Sequence, residues 1–154
     1  MLEQVVVALQ AGLGGNLVAV ALFGSQARGE ATAGRDWDLL VIAKGMPGQP
    51  FERRLLLKHL LPIPCRGIVS ILARTPAEFE AHVPSLYLDI ALDGCILHDP
   101  QGYIAARLKI LRQLIERAGL QRQRSEVGYV WRWQRQPAGA WDMTWELIGD
   151  ASHR

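Results

Sequence analysis

The chain predicts an α+β or mixed α/β fold around a small sheet, and three observations carry that expectation. Leu17 to Phe23 and Leu39 to Ile42 are apolar runs of the kind that form buried strands. Leu2, Val5, Val6 and Leu9, and later Ile104, Leu108, Leu111 and Ile115, recur at helical spacing. The 154 residues suffice for one sizeable core, with no internal repeat or low-complexity block, so a single body is the default.

Taken in order, the N-terminal helix ends at Gly12, Gly14 and Gly15, ahead of the first strand. A second strand begins at Asp36 and runs to Ile42, and the Pro/Gly-rich stretch from Ala43 to Pro50 reads as a loop before a helix over about Phe51 to Leu60. Pro62 and Pro64 break the chain before a third strand, Gly67 to Leu72. Thr75-Pro76-Ala77-Glu78 has the form of a helix start, with a threonine cap and proline in the first turn, and that helix should reach about His82. Ser85 to Asp93 reads as a helix ended by Gly94, Cys95 to His98 as a short strand, and Asp99-Pro100 as the opening of the longest helix, which stops at Gly119. From Tyr129 the tail alternates Tyr129, Trp131 and Trp133 with other residues, turns near Pro137 to Gly139, and returns as Trp141 to Leu147, a two-stranded C-terminal ribbon.

Composition excludes two classes. With 49% hydrophobic and 21% charged residues, neither a disordered nor a membrane chain is expected. A net charge of +2 does not by itself imply nucleic-acid binding. Glu3 and the glycines after Leu9 argue against an export signal. Cys65 and Cys95 cannot build a disulfide framework and read as buried thiols of a reducing compartment, so the cytoplasm is expected. His59, Cys65, Cys95 and His98 include one Cys-x-x-His pair without a second matched pair, which suits core thiols and surface histidines better than zinc.

The chemistry lies between Leu22 and Ile42. At Gly24-Ser25 a residue without a side chain and a hydroxyl let backbone amides approach an anionic oxygen. Asp36 and Asp38, two apart, would present paired carboxylates from one strand face. Hard oxygen ligands beside a phosphate cradle suit Mg²⁺, which takes one or two carboxylates together with phosphates and water. Phosphoryl or nucleotidyl transfer follows. Arg28 and Arg35 flank this site and could hold a triphosphate, Arg28 being the better placed.

These residues resemble the minimal nucleotidyltransferases of the DNA polymerase beta superfamily, whose signature is Gly-Ser, ten residues, then Asp-x-Asp. Here it reads Gly24-Ser25, Gln26 through Arg35, and Asp36-Trp37-Asp38, with Ala27-Arg28-Gly29 completing the longer form. The resemblance covers roughly residues 17–42 and, more loosely, the phrase Leu86 to Pro100. It implies a nucleotidyltransferase-like mixed sheet backed by helices, over about residues 1–120, with residues 121–154 a tail or ribbon packed on the same domain or on a partner. It also implies Asp36 and Asp38 as catalytic metal ligands for Mg²⁺, and Gly24, Ser25 and Arg28 as nucleotide-binding residues for ATP or another NTP.

One departure stands against the matches. Members of the superfamily commonly carry a third carboxylate on a later strand, and the strand in that place here centres on Ser70. Asp89 and Asp93, one helical turn apart, are the remaining candidates and read better as an exposed helix face. Two function classes follow. One is an enzyme moving AMP from ATP to an acceptor hydroxyl; small proteins of this kind look like the antitoxin half of nucleotidyltransferase/HEPN toxin pairs, with a toxin tyrosine as acceptor. The other is a binding module of the same fold that neutralises its partner by contact. A protein partner is expected, a homo-oligomer is open, and a membrane or nucleic acid is not expected, although the tail tryptophans with Arg132 and Arg135 could stack bases.

Overall fold

The two apolar runs pair as the antiparallel centre of a four-stranded sheet in the computed structural model of the chain, which describes residues 1–30, 34, 36–126, 128–134 and 145. β1 (Leu17–Phe23) and β2 (Trp37–Ala43) form that centre, β3 (Val69–Arg74) lies parallel to β2, and β4 (Cys95–His98) lies antiparallel to β1, in the order β3-β2-β1-β4. The sheet is therefore mixed. Its central strands read as continuous apolar runs because both faces are covered. Val20, Leu22, Leu39 and Val41 pack toward α1 (Leu2–Leu13) and α3 (Pro50–Leu60), while Ala19, Ala21, Leu40 and Ile42 share a core with α4 (Pro76–Ala81), α5 (Ser85–Asp93) and α6 (Tyr103–Ala118).

Local signals account for most element ends. A single helical turn, α2 (Gly24–Ala27), follows β1 directly. At α4 the Thr75 hydroxyl accepts from the Glu78 amide at 3.2 Å and the Glu78 carboxylate accepts from the Thr75 amide at 2.8 Å, a reciprocal cap. That hydrogen bond, burial working against it, and Arg53 beside it hold the Glu78 carboxyl below its usual range. The longest helix starts at Tyr103, four residues after the predicted opening, with Gly102 at the N-cap position, and the Asp99 carboxylate accepts from the amides of Ile104 and Ala105 in its first turn at 3.2 and 2.9 Å. Its buried face is Ile104, Leu108, Leu111 and Leu114; Ile115 is only partly covered. β3 begins two residues later than expected, and β2 begins at Trp37, leaving Asp36 just ahead of the strand.

The ribbon has a partner that the sequence did not suggest. β6 (Gly128–Trp133), the alternating aromatic segment, pairs with β5 (Leu120–Ser125) upstream of it. Leu120 follows the α6 stop at Gly119 without a break, so a short turn can close the hairpin, whereas the predicted return through Pro137 and Trp141 lies outside the described residues. Cys65 is buried as expected, but Cys95 is exposed at the start of edge strand β4. Among the described residues no helix is long and apolar enough to cross a membrane.

Phe79 anchors the second core. It has no exposed surface, its ring stacks on Tyr87 at 4.5 Å, and Trp145 lies 5.5 Å away. Phe79→Ala should cost about 3–5 kcal/mol, read as a lower urea midpoint at unchanged slope.

Candidate functional site

The site is assembled where β1 ends. In the antiparallel register Phe23 lies opposite Asp38, so the next residue, Gly24, turns into α2 directly against the Asp38 side chain. Gly24 has φ 76°, and a Cβ there would run into the Asp38 carboxylate. Glycine is required twice over, for the left-handed backbone and for the space. Ser25 behind it is buried at 9% exposure. The first amides of α2 have, as in any helix, no intrahelical acceptor.

Asp38 shares the strand face of Leu40 and Ile42, toward α5 and α6. Partial burial, reinforced by the negative charge of Asp36, holds its carboxyl above the ordinary aspartate range, and Arg28 opposes this. Asp36 is exposed. In the parallel ladder Ser70 sits in register with Asp38, so the neighbouring position on β3 carries a hydroxyl where a third carboxylate was sought. Among the described residues no group of three or more His, Cys, Asp and Glu is placed to hold a metal ion. A donor set of two carboxylates, one exposed and one half-buried beside a residue without a side chain, suits a hard ion that takes its other ligands from water and phosphate.

Arg28 lies beyond α2 and is held on three sides. Its Nε donates to Glu30 at 3.1 Å, Nη1 lies 3.6 Å from Asp93, and its guanidinium stacks over Tyr129 at 4.9 Å. Burial disfavours its charge, but Glu30, Asp93 and Tyr129 outweigh that and keep it firmly protonated. Tyr129 in turn donates to Glu30 at 2.9 Å. Arg35 lies outside the described residues.

Asp89 and Asp93 are not the exposed helix face the periodicity predicts. Both are half-buried and grip the ribbon: Arg122 Nη2 donates to Asp93 at 2.9 Å, its Nη1 reaches Asp89 at 3.3 Å, and Trp131 Nε1 donates to Asp89 at 3.1 Å. Arg122 also stacks 4.4 Å over Tyr129, placing that ring between two guanidiniums. The hydrogen bonds that Arg122 donates to Asp93 push its pKa well up, against the cost of burial. Glu30, Arg122 and Tyr129 thus belong to the surroundings of Arg28 and were missed. No short-range pattern marks Arg122, because its acidic partners lie 33 and 29 positions away.

Comparison with known proteins finds likenesses to nucleotidyltransferases over part of the chain. Residues 5–64, which hold α1, Gly24-Ser25, the two aspartates and α3, match the family model of the nucleotidyltransferase domain. A protein of Methanocaldococcus jannaschii named as a protein adenylyltransferase is 44% identical over 48 residues, 31% of this chain and 33% of that one. The chain therefore spans about a third of the length of this curated relative. Among solved structures, a toxin–antitoxin with AMP-PNP aligns with TM-score 0.55 at 17% identity, over 76% of this chain and 89% of that one. A mutant of the toxin–antitoxin MntA-HpeT aligns with TM-score 0.53 at 18% identity, over 75% and 86%. These likenesses establish the shared α+β fold, and the resemblance read from Gly24-Ser25 and Asp36-Trp37-Asp38 is borne out.

Two outcomes follow for the isolated protein. Gly24→Ala should lower the melting temperature and disturb Asp38, since it meets both the positive φ and the carboxylate. Asp38→Asn should do the reverse. Because the folded carboxyl titrates above its unfolded value, the ionised form weakens the fold as pH rises through the folded pKa, whereas below the unfolded pKa no penalty remains. Melting curves without added metal should show Asp38→Asn more stable than the parent at pH 7, with the gap closing toward pH 3.

Proposed function

We propose that the chain is a metal-dependent nucleotidyltransferase that moves AMP from ATP to an acceptor hydroxyl, with a tyrosine of a HEPN-type toxin as the acceptor. The observation that carries this reading is the contact of Gly24 with the Asp38 carboxylate, inside the segment that matches the nucleotidyltransferase family model. The name of the archaeal relative and the nucleotide analogue in the toxin–antitoxin structure support AMP transfer, and the toxin in that complex supports a protein acceptor.

On this reading Asp36 and Asp38 hold Mg²⁺, which when bound neutralises the triphosphate and polarises the α-phosphate. The amides of α2 and the Ser25 hydroxyl receive phosphate oxygens at the end of β1. Arg28 offers its guanidinium from the other side, kept in place by Asp93 and Tyr129, so that binding loses little side-chain freedom. The acceptor oxygen bonds to the α-phosphorus as the bond to pyrophosphate breaks. Residues 1–120 form the transferring unit, and the ribbon supports Arg28 from outside.

Proton removal from the acceptor falls to solvent or to the partner. Ser70 occupies the register position beside Asp38, and Asp89 and Asp93 are committed to Arg122. The same two observations favour a second reading, in which the fold binds nucleotide and neutralises its partner by contact alone.

Incubation with labelled ATP, Mg²⁺ and a HEPN-type toxin separates the two. Label should appear on the toxin, disappear with Asp36→Asn combined with Asp38→Asn, and appear faster with Ser70→Asp, by ~10² if the new carboxylate serves as base. A tight, unlabelled complex that still inhibits the toxin selects the binding module.

A further inference from the structure

Between α3 and β3 lies a cavity of about 740 Å³ that the transfer reading does not use. It runs along the β3 edge of the sheet, since among the described residues β3 pairs only with β2. The Trp37 amide donates to the Ile68 carbonyl at 2.8 Å, so Ile68, Ser70 and Leu72 turn their backbone groups to β2, and Val69, Ile71 and Ala73 turn theirs outward. The Ala73 carbonyl confirms this alternation by accepting from Arg74 at 2.8 Å and Arg53 at 3.4 Å. Those two guanidiniums cap one end of the edge. The Val69 and Ile71 groups stay open to the groove.

The lining is strongly basic. Arg53, Arg54, Lys58, Arg66 and Arg74 face it, against Asp36 and Glu78 alone as acids. Arg53 is matched by Glu78 at 2.8 Å, and Arg66 donates to the carbonyls of Leu61 and His59, which spend its hydrogen bonds but leave its charge unbalanced. Arg54 and Lys58, one turn apart on α3, are exposed. Ile63 and Ile68, just ahead of the start of β3, are 76% and 42% exposed.

We propose that this groove docks an extended acidic segment of a partner protein, added as a fifth strand along β3. An open strand edge supplies main-chain hydrogen bonds, and flanking side chains supply specificity, which is the chemistry of strand addition. Here the flanking chains are cations, so the alternate side chains of the segment are carboxylates. The two exposed isoleucines suit its apolar residues. A nucleic-acid strand fits less well, because none of the described lining residues is an aromatic on which a base could stack. The groove ends at Asp36, so a segment lying in it reaches the carboxylate end of β2.

The proposal needs no nucleotide and is tested by binding alone. A fluorescent peptide of alternating glutamate and valine, an uncharged peptide with serine for glutamate, and a uridine oligonucleotide of equal length are titrated into the full chain. The acidic peptide should bind, weaken at least about tenfold with Arg54→Glu combined with Lys58→Glu, weaken with salt, and slow hydrogen exchange at the Val69 and Ile71 amides. Both substitutions are at exposed positions, and an unchanged melting temperature verifies the fold. Equal binding of the serine peptide, unaltered affinity in the double variant, unprotected β3 amides, no binding of the acidic peptide, or preference for the oligonucleotide would each overturn it. Loss of AMP transfer with peptide binding intact would count against the transfer reading only.

Discussion

In the register of β1 on β2, Phe23 lies opposite Asp38, and the character of the site follows from that single antiparallel pairing. It brings the end of one buried strand to the head of the next, so a backbone turn and a carboxylate meet although ten residues and a loop separate Ser25 from Asp36. The contact leaves no room for a side chain at Gly24. It also takes Asp38 partly out of water next to Asp36, which holds its carboxyl above the ordinary aspartate range.

The charged side chains around Arg28 show the same economy at longer range. Arg28, Glu30, Asp89, Asp93, Arg122 and Tyr129 alternate in sign and interleave with aromatic rings, so that no described buried polar side-chain atom lacks a partner. The pairs are partly buried, and those of Arg122 are also hydrogen-bonded. Their effect is to tie the ribbon to α5 and to α2 at once. Trp131 and Trp133 seat the ribbon against the core beneath α6, so the aromatic tail residues serve packing and hydrogen bonding.

The sheet is finished differently at its two sides. β4 is short and leaves Cys95 and Ile96 exposed, while β3 is longer and bordered by cations. Positive charge along an edge discourages pairing with another copy of the same strand, yet it leaves the edge open to a segment of opposite charge. Arg53 shows how the border is built: it is almost fully buried, it binds the carbonyls of Pro47 and Ala73, and it reaches Glu78 on the α4 cap.

Residues near one another in sequence determined much by themselves. Continuous apolar runs marked β1 and β2, Thr75-Pro76 and Glu78 marked a capped helix, and Gly24-Ser25 with Asp36-Trp37-Asp38 marked the chemistry, because strand alternation, helix capping and close backbone approach are properties of a few adjacent residues. That Ser70 stands where a third carboxylate is expected came from the family resemblance, and the parallel register of β3 on β2 sets it beside Asp38. What only the tertiary structure decided are the meetings between distant segments: Arg122 with Asp89 and Asp93, Tyr129 with Arg28 and Glu30, and β6 with β5. Such pairings depend on how helices and ribbon settle on the sheet, and a charge carries no local mark of the partner it will find there.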